Sequence, residues 1–352
     1  MKVALVSCST VRHMPYIEFY KDILNSLNIE YIIINEHEQE EYLPDNHYAY
    51  NVPSQGSIIG KIKKFFGWRS FVKKTMKQNS VQYAIILTTW PGVKMVDFWS
   101  GKFKNKYILD IRDFSSEGIK LYSMCVNRLV KKSSMTVISS EKFKTWLVDS
   151  PKISVAHNMP INYTENDSVT LKKGLPFTIG YVGLVNYEKQ NCALLDAFAK
   201  DENVKLVYKG TIEKSCHIKE YCETANMKNV IFTGRYNNSE KQYLYNDIDM
   251  INAIYGNNSL VVTTALPNKL YDCIIYKKPM LASKGTYLGE LVEKYHIGLA
   301  IDTEKDDIST NIHEYVNDFD EKLFLAGCQE LLEKVKREHH DTIEKIKSVF
   351  VD

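Results

Sequence analysis

Lys269 and Asp272 stand three residues apart in the run Leu266-Pro267-Asn268-Lys269-Leu270-Tyr271-Asp272. Pro267 suits the first turn of a helix, and on a helix that spacing puts the lysine and the aspartate on one face. A lysine can neutralise a diphosphate, and a carboxylate one turn later can accept both hydroxyls of a ribose. As a bare pair the two residues also read as a surface ion pair, worth ~0 to 1 kcal/mol. Upstream, the run from Ile179 to Lys189 (IGYVGLVNYEK) carries Gly183 at the end of a β-rich stretch and Lys189 where a helix begins near Glu188. Glycine there lets backbone amides approach a phosphate, and a helix N-terminus already favours an anion. A strand-ending glycine is equally common as plain punctuation.

The first half offers a different set. Tyr107 to Phe114 (YILDIRDF), followed by Glu117, ends a β-rich run in Arg112 and Asp113. A carboxylate there could act as a general acid or base, and an arginine could pair with an anionic group. Asp113 reads equally well as the cap of the next helix. His13, in the loop after the first β-rich run, is a further catalytic candidate, and a lone loop histidine is also commonly just solvated. Asp247-Ile248-Asp249 has the form of a metal-binding Asp-x-Asp, but it precedes a buried-looking strand, and a helix-to-strand turn explains both aspartates. No metal site is expected.

The elements that must position these residues alternate. Lys2–Ser7, Tyr31–Ile34, Tyr83–Leu87, Lys106–Leu109, Met135–Ile138 and Ile153–Ala156 are β-rich runs separated by helix-length segments, the first of them Pro15–Leu27. A second series follows at Phe177–Val182, Val204–Tyr208, Val230–Phe232, Met250–Ala253, Pro279–Ala282 and Gly298–Ile301. Such alternation predicts parallel sheets covered on both faces. The spacing therefore predicts an α/β chain of two tandem Rossmann-like, doubly wound domains facing each other across a cleft. The expected divisions are residues 1–160, a polar linker at 161–176, residues 177–320 as the donor-binding domain, and a helical segment at 321–352 that packs back on the first domain. Ligands of such sheets bind at the carboxyl ends of the strands.

Composition narrows the classes. The chain has 352 residues, 44% hydrophobic and 25% charged, which excludes disordered, collagen-like and disulfide-scaffold proteins. Its seven cysteines are scattered, the nearest pair being Cys216 and Cys222, so no zinc or redox motif follows. The opening MKVALVSCSTV turns polar by Ser7, short of a secretory apolar region, and no run reaches the ~18 apolar residues of a membrane span. A cytoplasmic chain is expected. The net charge of +2 hides an asymmetry, for up to Pro160 there are 22 Lys and Arg against 14 Asp and Glu. Much of this excess lies in Ile58 to Gln78, with Lys61, Lys63, Lys64, Arg69, Lys73, Lys74 and Lys77, no acid, and Trp68 and phenylalanines at helical spacing. That is the form of an interfacial helix on an anionic membrane, and also of a helix that covers a sheet with its lysines solvated. Gly67 is expected to kink or divide it. No nucleic-acid motif accompanies the charge.

The run PNKLYDCIIYKKPMLAS, with Gly289-Glu290-Leu291-Val292-Glu293 and Gly298-Leu299 after it, resembles the nucleotide-sugar-binding segment of GT-B glycosyltransferases of the family 4 (group 1) type. In that family a ribose-binding carboxylate stands seven residues before the proline that opens the next strand, the separation of Asp272 and Pro279. The resemblance extends through IGYVGLVNYEKQ, LVYKG and VIFTGRY and covers most of residues 177 to 302. It implies that Gly183 and Lys189 meet the donor phosphates, Lys269 the diphosphate and Asp272 the ribose. Arg235 and Tyr236 would lie against the base, with Lys209 and Asn268 among the donor-binding residues. The YILDIRDF run is similar to a strand-end motif of bacterial surface-polysaccharide members. Two positions depart: Thr264 stands where many members have a second glutamate, and Leu184 where an arginine is frequent. Lysine must then carry more of the phosphate charge.

The resemblance implies transfer from a UDP- or GDP-sugar, with no obligatory cofactor, to a polyprenyl-diphosphate-linked glycan at the inner face of the cell membrane. Two alternatives stand beside it, a nucleotide-sugar epimerase and a catalytically silent glycan- or lipid-binding subunit.

Overall fold

The structure is a computed structural model that describes all residues except 10–13, 15, 38–45, 52–57, 161–162, 167, 170, 172–175 and 352. The described chain forms two compact units. One comprises Met1–Asn158 with Arg337–Asp352, and the other Met159–Lys336.

The first unit is built on β1 (Lys2–Val6), β2 (Glu30–His37), β3 (His47–Asn51), β4 (Tyr83–Leu87), β5 (Tyr107–Ile111), β6 (Met135–Ile138) and β7 (Ile153–Val155). They pair in the order β3-β2-β1-β4-β5-β6-β7, every pair parallel. The second unit uses β8 (Phe177–Val182), β9 (Val204–Lys209), β10 (Val230–Gly234), β11 (Met250–Ala253), β12 (Met280–Ser283) and β13 (Gly298–Ile301). Their order is β10-β9-β8-β11-β12-β13, again all parallel. Both sheets thus reverse direction of growth at one place, between β1 and β4 and between β8 and β11, the points where doubly wound folds open a crevice for ligand.

Central strands are buried on both faces, which is why β4 (YAIIL) reads as a continuous apolar run and not an alternating one. The sequence pattern gives no expectation of β3. Its residues HYAYN are half-buried or exposed on the sheet edge, so the strand needs no apolar face to announce it.

Helices cover the sheets with the faces their spacing dictates. Ile17–Ser26 buries Ile17, Tyr20, Ile23 and Leu24. Ile58–Gln78 is one helix of 21 residues. Gly67 does not divide it; a Cβ there would lie 2.1 Å from the Tyr50 hydroxyl, so the glycine admits that ring against the helix. Trp68, which the interfacial reading would turn toward lipid and the sheet-covering reading inward, is fully buried beside Tyr50, while Ile59, Ile62 and Phe66 remain exposed. Asn268–Tyr276 is buried from Lys269 onward and ends on Lys277 in the left-handed conformation, φ 53°.

The last helix, Glu321–Val351, contributes Phe324, Cys328, Leu331 and Leu332 to the core of the second unit. Its final turns join the first unit, where Ile346 enters the core and the Thr342 hydroxyl donates to the Val155 carbonyl at 2.5 Å. No helix among the described residues is long and apolar enough to cross a membrane.

The turn after β9 sets the second sheet's carboxyl edge. Gly210 takes φ +144°, and a Cβ there would stand 1.8 Å from the carbonyl oxygen of Gly183. Gly210→Ala is therefore expected to lower unfolding stability by more than ~1 kcal/mol, measured by urea denaturation. An unchanged midpoint would show that this close backbone approach does not hold the edge.

Candidate functional site

The second unit brings Lys269 and Asp272 to the place where its sheet reverses. Lys269 reaches back from its helix, and its ammonium donates to the carbonyl of Asn252 on β11 at 2.9 Å. It also sits 2.9 Å from the centre of the Tyr181 ring on β8 and 5.3 Å from that of Tyr255. The side chain is buried, and this desolvation drives its pKa well below the ordinary 10.5, with Asp272 opposing the shift and Lys241 adding to it. The cation that sequence spacing placed on a helix face is therefore stored under two tyrosine rings.

Asp272 is deeper than a surface carboxylate. Oδ2 accepts the Tyr245 hydroxyl at 2.7 Å, and the Lys241 ammonium stands 2.7 Å from Oδ1. Burial raises its pKa, while Lys241, the Tyr245 hydrogen bond and Lys269 pull it back. Tyr245 is itself stacked on Tyr276, ring centres 5.1 Å apart. Tyr236 is half-buried close enough for Asp272 to add to the burial-driven rise of its phenol pKa. Lys241, Tyr245, Tyr181, Tyr255 and Asn252 are thus parts of this site that the sequence reading did not assign. Tyr181 lies inside the IGYVG run it used, whereas Lys241 comes from the short 3-10 helix Asn238–Tyr245, which has no periodicity to mark it.

The other expected donor residues also belong to the second unit. Gly183 adopts φ +129° with open space where a Cβ would stand, and its N–H donates to the Lys209 carbonyl at 2.9 Å. Lys209 is buried, and its ammonium is held by the Leu244 carbonyl at 2.9 Å and by Asp247. Lys189 is exposed and pairs with Glu304 at 2.5 Å. Arg235 and Asn268 are exposed, the latter opening the helix that carries Lys269. Leu184 is exposed, and Thr264 is buried with its hydroxyl donating to the Leu260 carbonyl one turn back. Asp247 and Asp249 bind other strands: the first pairs with Lys209 at the end of β9, and the second accepts the Thr178 N–H of β8 at 2.9 Å.

In the first unit Arg112 is buried at the end of β5. Its Nε donates to both oxygens of Asp110 at 2.9 Å, and Nη1 donates to the Ala156 carbonyl and to Asn158 Oδ1. The Tyr20 hydroxyl donates to Asp110 at 2.7 Å, so the ion pair is capped by a third group. Asp113 is exposed, yet the protein around its carboxyl raises its pKa, against the pull of Arg112. Glu117 is buried and accepts the Thr89 hydroxyl at 2.8 Å. His13 lies outside the described residues.

A buried amine without a carboxylate in contact is a stability liability. Lys269→Met is accordingly expected to raise the thermal midpoint of the ligand-free protein. Because the folded state binds the lysine proton more weakly than the unfolded one, wild-type stability relative to this variant should increase as pH rises from the lowered pKa toward 10.5. A lower midpoint in the variant at neutral pH would contradict the buried geometry of the amine.

Residues 162–323 match the family described as glycosyl transferases group 1. No curated protein matches the sequence. Among solved structures the chain is similar to sucrose-phosphate synthase from Thermosynechococcus elongatus, with TM-score 0.71 at 11% identity over 99% of this chain and 98% of that one. It is similar to Anabaena HepE in complex with UDP and glucose, with TM-score 0.69 at 14% identity over 99% and 100% of the two chains. WaaG, a glycosyltransferase involved in lipopolysaccharide biosynthesis, gives 0.64 at 11% identity over 99% of each. The two parallel-sheet units have the GT-B fold. Residues 162–323 carry a group 1 glycosyltransferase domain, and the chain is a glycosyltransferase.

Proposed function

We propose that this glycosyltransferase takes a sugar from a nucleoside-diphosphate donor, a UDP-sugar in the first instance, and transfers it to a lipid-linked glycan in bacterial surface-polysaccharide synthesis. The observation that carries the donor half is the Lys269–Asp272 pair at the reversal point of the second sheet. The occurrence of UDP and UDP-glucose in the HepE structures and the lipopolysaccharide role of WaaG support the choice of donor and product class.

In this reading Asp272 takes the ribose hydroxyls in exchange for Lys241. A diphosphate near Lys269 opposes the burial-driven lowering of its pKa, since an adjacent anion favours the ammonium. That charge then balances the negative charge that grows on the leaving diphosphate. Gly183 leaves room for the phosphates, with Lys189 and Arg235 as exposed cations beside the donor, and Tyr236 packs toward the base. Lys209 and Asn268 support the loops that hold it. In the first unit Asp113, with its raised proton affinity, accepts the proton of the acceptor hydroxyl, and Arg112 fixes the strand end through Asp110. His13 is a further catalytic candidate of the first half.

Lys269→Ala is expected to lower turnover at least ~100-fold in a donor-consumption assay, the scale of losing one stabiliser of developing charge. Unchanged turnover in a folded variant would remove it from the mechanism. A thermal-shift series with UDP, GDP and their sugars checks the donor directly, and lack of stabilisation by any of them would favour a silent binding subunit.

The helix Ile58–Gln78 is proposed as the contact with the anionic inner face of the membrane. Ile59, Ile62 and Phe66 are exposed on it among Lys61 and Lys63, while Trp68, Val72 and Met76 fasten its other face to the unit. At ~1 kcal/mol per cation, replacing Lys61 and Lys63 together by alanine should reduce sedimentation with phosphatidylglycerol vesicles at low salt about 30-fold. Equal sedimentation of wild type and variant would assign this surface to water.

A further inference from the structure

The carboxyl end of the first sheet holds a group of side chains with no part in donor binding. β4 ends at Leu87, and Thr88 then adopts φ 71°, a costly backbone for a β-branched residue. Thr89 follows, buried, with its hydroxyl donating to Glu117 at 2.8 Å and lying 2.8 Å from the Tyr122 hydroxyl. The other Glu117 oxygen accepts the Ser115 N–H at 2.5 Å, so this carboxylate is fixed from two sides.

On that base Trp90 lies flat over Tyr122, ring centres 5.9 Å apart and planes within 17°. One face of the indole is thereby covered, yet Trp90 keeps 46% of its surface exposed, where Trp68 and Trp99 keep none. Beside it, at the end of β2, Glu36 holds the ammonium groups of Lys94 at 2.5 Å and Lys64 at 2.9 Å, with Lys94 5.4 Å from the Trp90 ring. Both cations are thus held by Glu36.

We propose that Trp90 is the stacking platform for a neutral pyranose ring of the acceptor glycan, an inference that rests on the glycosyltransferase reading. A flat aromatic face, electron-rich and backed by a second ring, matches the C–H face of a sugar. The two cations beside it are already engaged by Glu36, which favours an uncharged sugar residue over a phosphate. Its position at the carboxyl end of β4, beside the reversal point of the sheet, is where a doubly wound unit receives a ligand. The buried hydrogen bonds of Thr89 and Glu117 keep the turn that presents the ring from rotating away.

The experiment uses the full chain and the fluorescence of Trp90, the most exposed tryptophan. Wild type, Trp90→Phe and Trp90→Ala are titrated with the methyl glycosides of glucose, galactose, mannose and N-acetylglucosamine, and separately with phosphatidylglycerol vesicles. Binding to the two variants is followed by saturation-transfer NMR. The expected result is a saturable emission change with at least one glycoside, affinity kept within a few-fold by phenylalanine and lowered about tenfold by alanine. Emission that answers none of the glycosides, or glycoside binding untouched by Trp90→Ala, overturns the proposal. A response to vesicles alone also overturns it, assigning Trp90 with the exposed Ile119, Leu121 and Met124 to a lipid surface. A thermal shift with UDP and GDP on the same samples separates the two readings: a wild type indifferent to both refutes the donor site, while the glycoside arm still judges the platform.

Discussion

A lysine amine enclosed between a tyrosine ring and a strand-end carbonyl is the constraint around which the second unit is arranged. Removing an ammonium from water costs several kcal/mol unless charge or hydrogen bonds replace the lost solvent. Here the replacement is partial, one carbonyl and two aromatic faces, with the nearest carboxylate engaged by Lys241 and Tyr245. The group is therefore held in a state that any anion arriving at the reversal point of the sheet would relieve. The glycine at 210 lets its turn approach the turn at Gly183, where a Cβ would fall 1.8 Å from the Gly183 carbonyl oxygen.

The two units solve the same electrostatic problem differently. In the first, each buried charge at the carboxyl edge is satisfied within the protein: Arg112 with Asp110, and Glu36 with Lys94 and Lys64. Removing one partner of such a pair leaves a buried charge uncompensated, which is why these pairs fix loops and strand ends firmly. In the second unit Lys269 and Asp272 retain part of their desolvation cost. Charge satisfied internally suits a surface that reads shape and hydroxyls, and charge left partly unsatisfied suits one that takes a diphosphate.

The helix Ile58–Gln78 shows how one segment divides its roles. Its lysines are consistent with both a sheet-covering and a lipid-facing helix, and the packing allots Trp68 and Val72 to the sheet and leaves Ile59, Ile62 and Phe66 to solvent. Lys64 and Arg69, which look like members of a uniform cationic face, are tied to Glu36 and Asp97.

The alternation of apolar runs with helix-length segments determined the α/β class, twelve of the thirteen strands among the described residues and the start of the Glu188 helix, because central parallel strands must be apolar on both faces. The edge strand His47–Asn51 escaped that signal since it buries little. The spacing of Lys269 and Asp272 likewise put both on one helix face. Which groups surround them was decided only by tertiary structure: Tyr181, Asn252, Tyr245 and Lys241 come from β8, β11 and the stretch before β11, at distances along the chain that no local pattern encodes. The same holds for Arg112, whose bonds to the Ala156 carbonyl and Asn158 depend on strands β5 and β7 lying two places apart in the sheet. Periodicity reports how a segment meets its own sheet, whereas the electrostatic state of a side chain depends on everything folded around it.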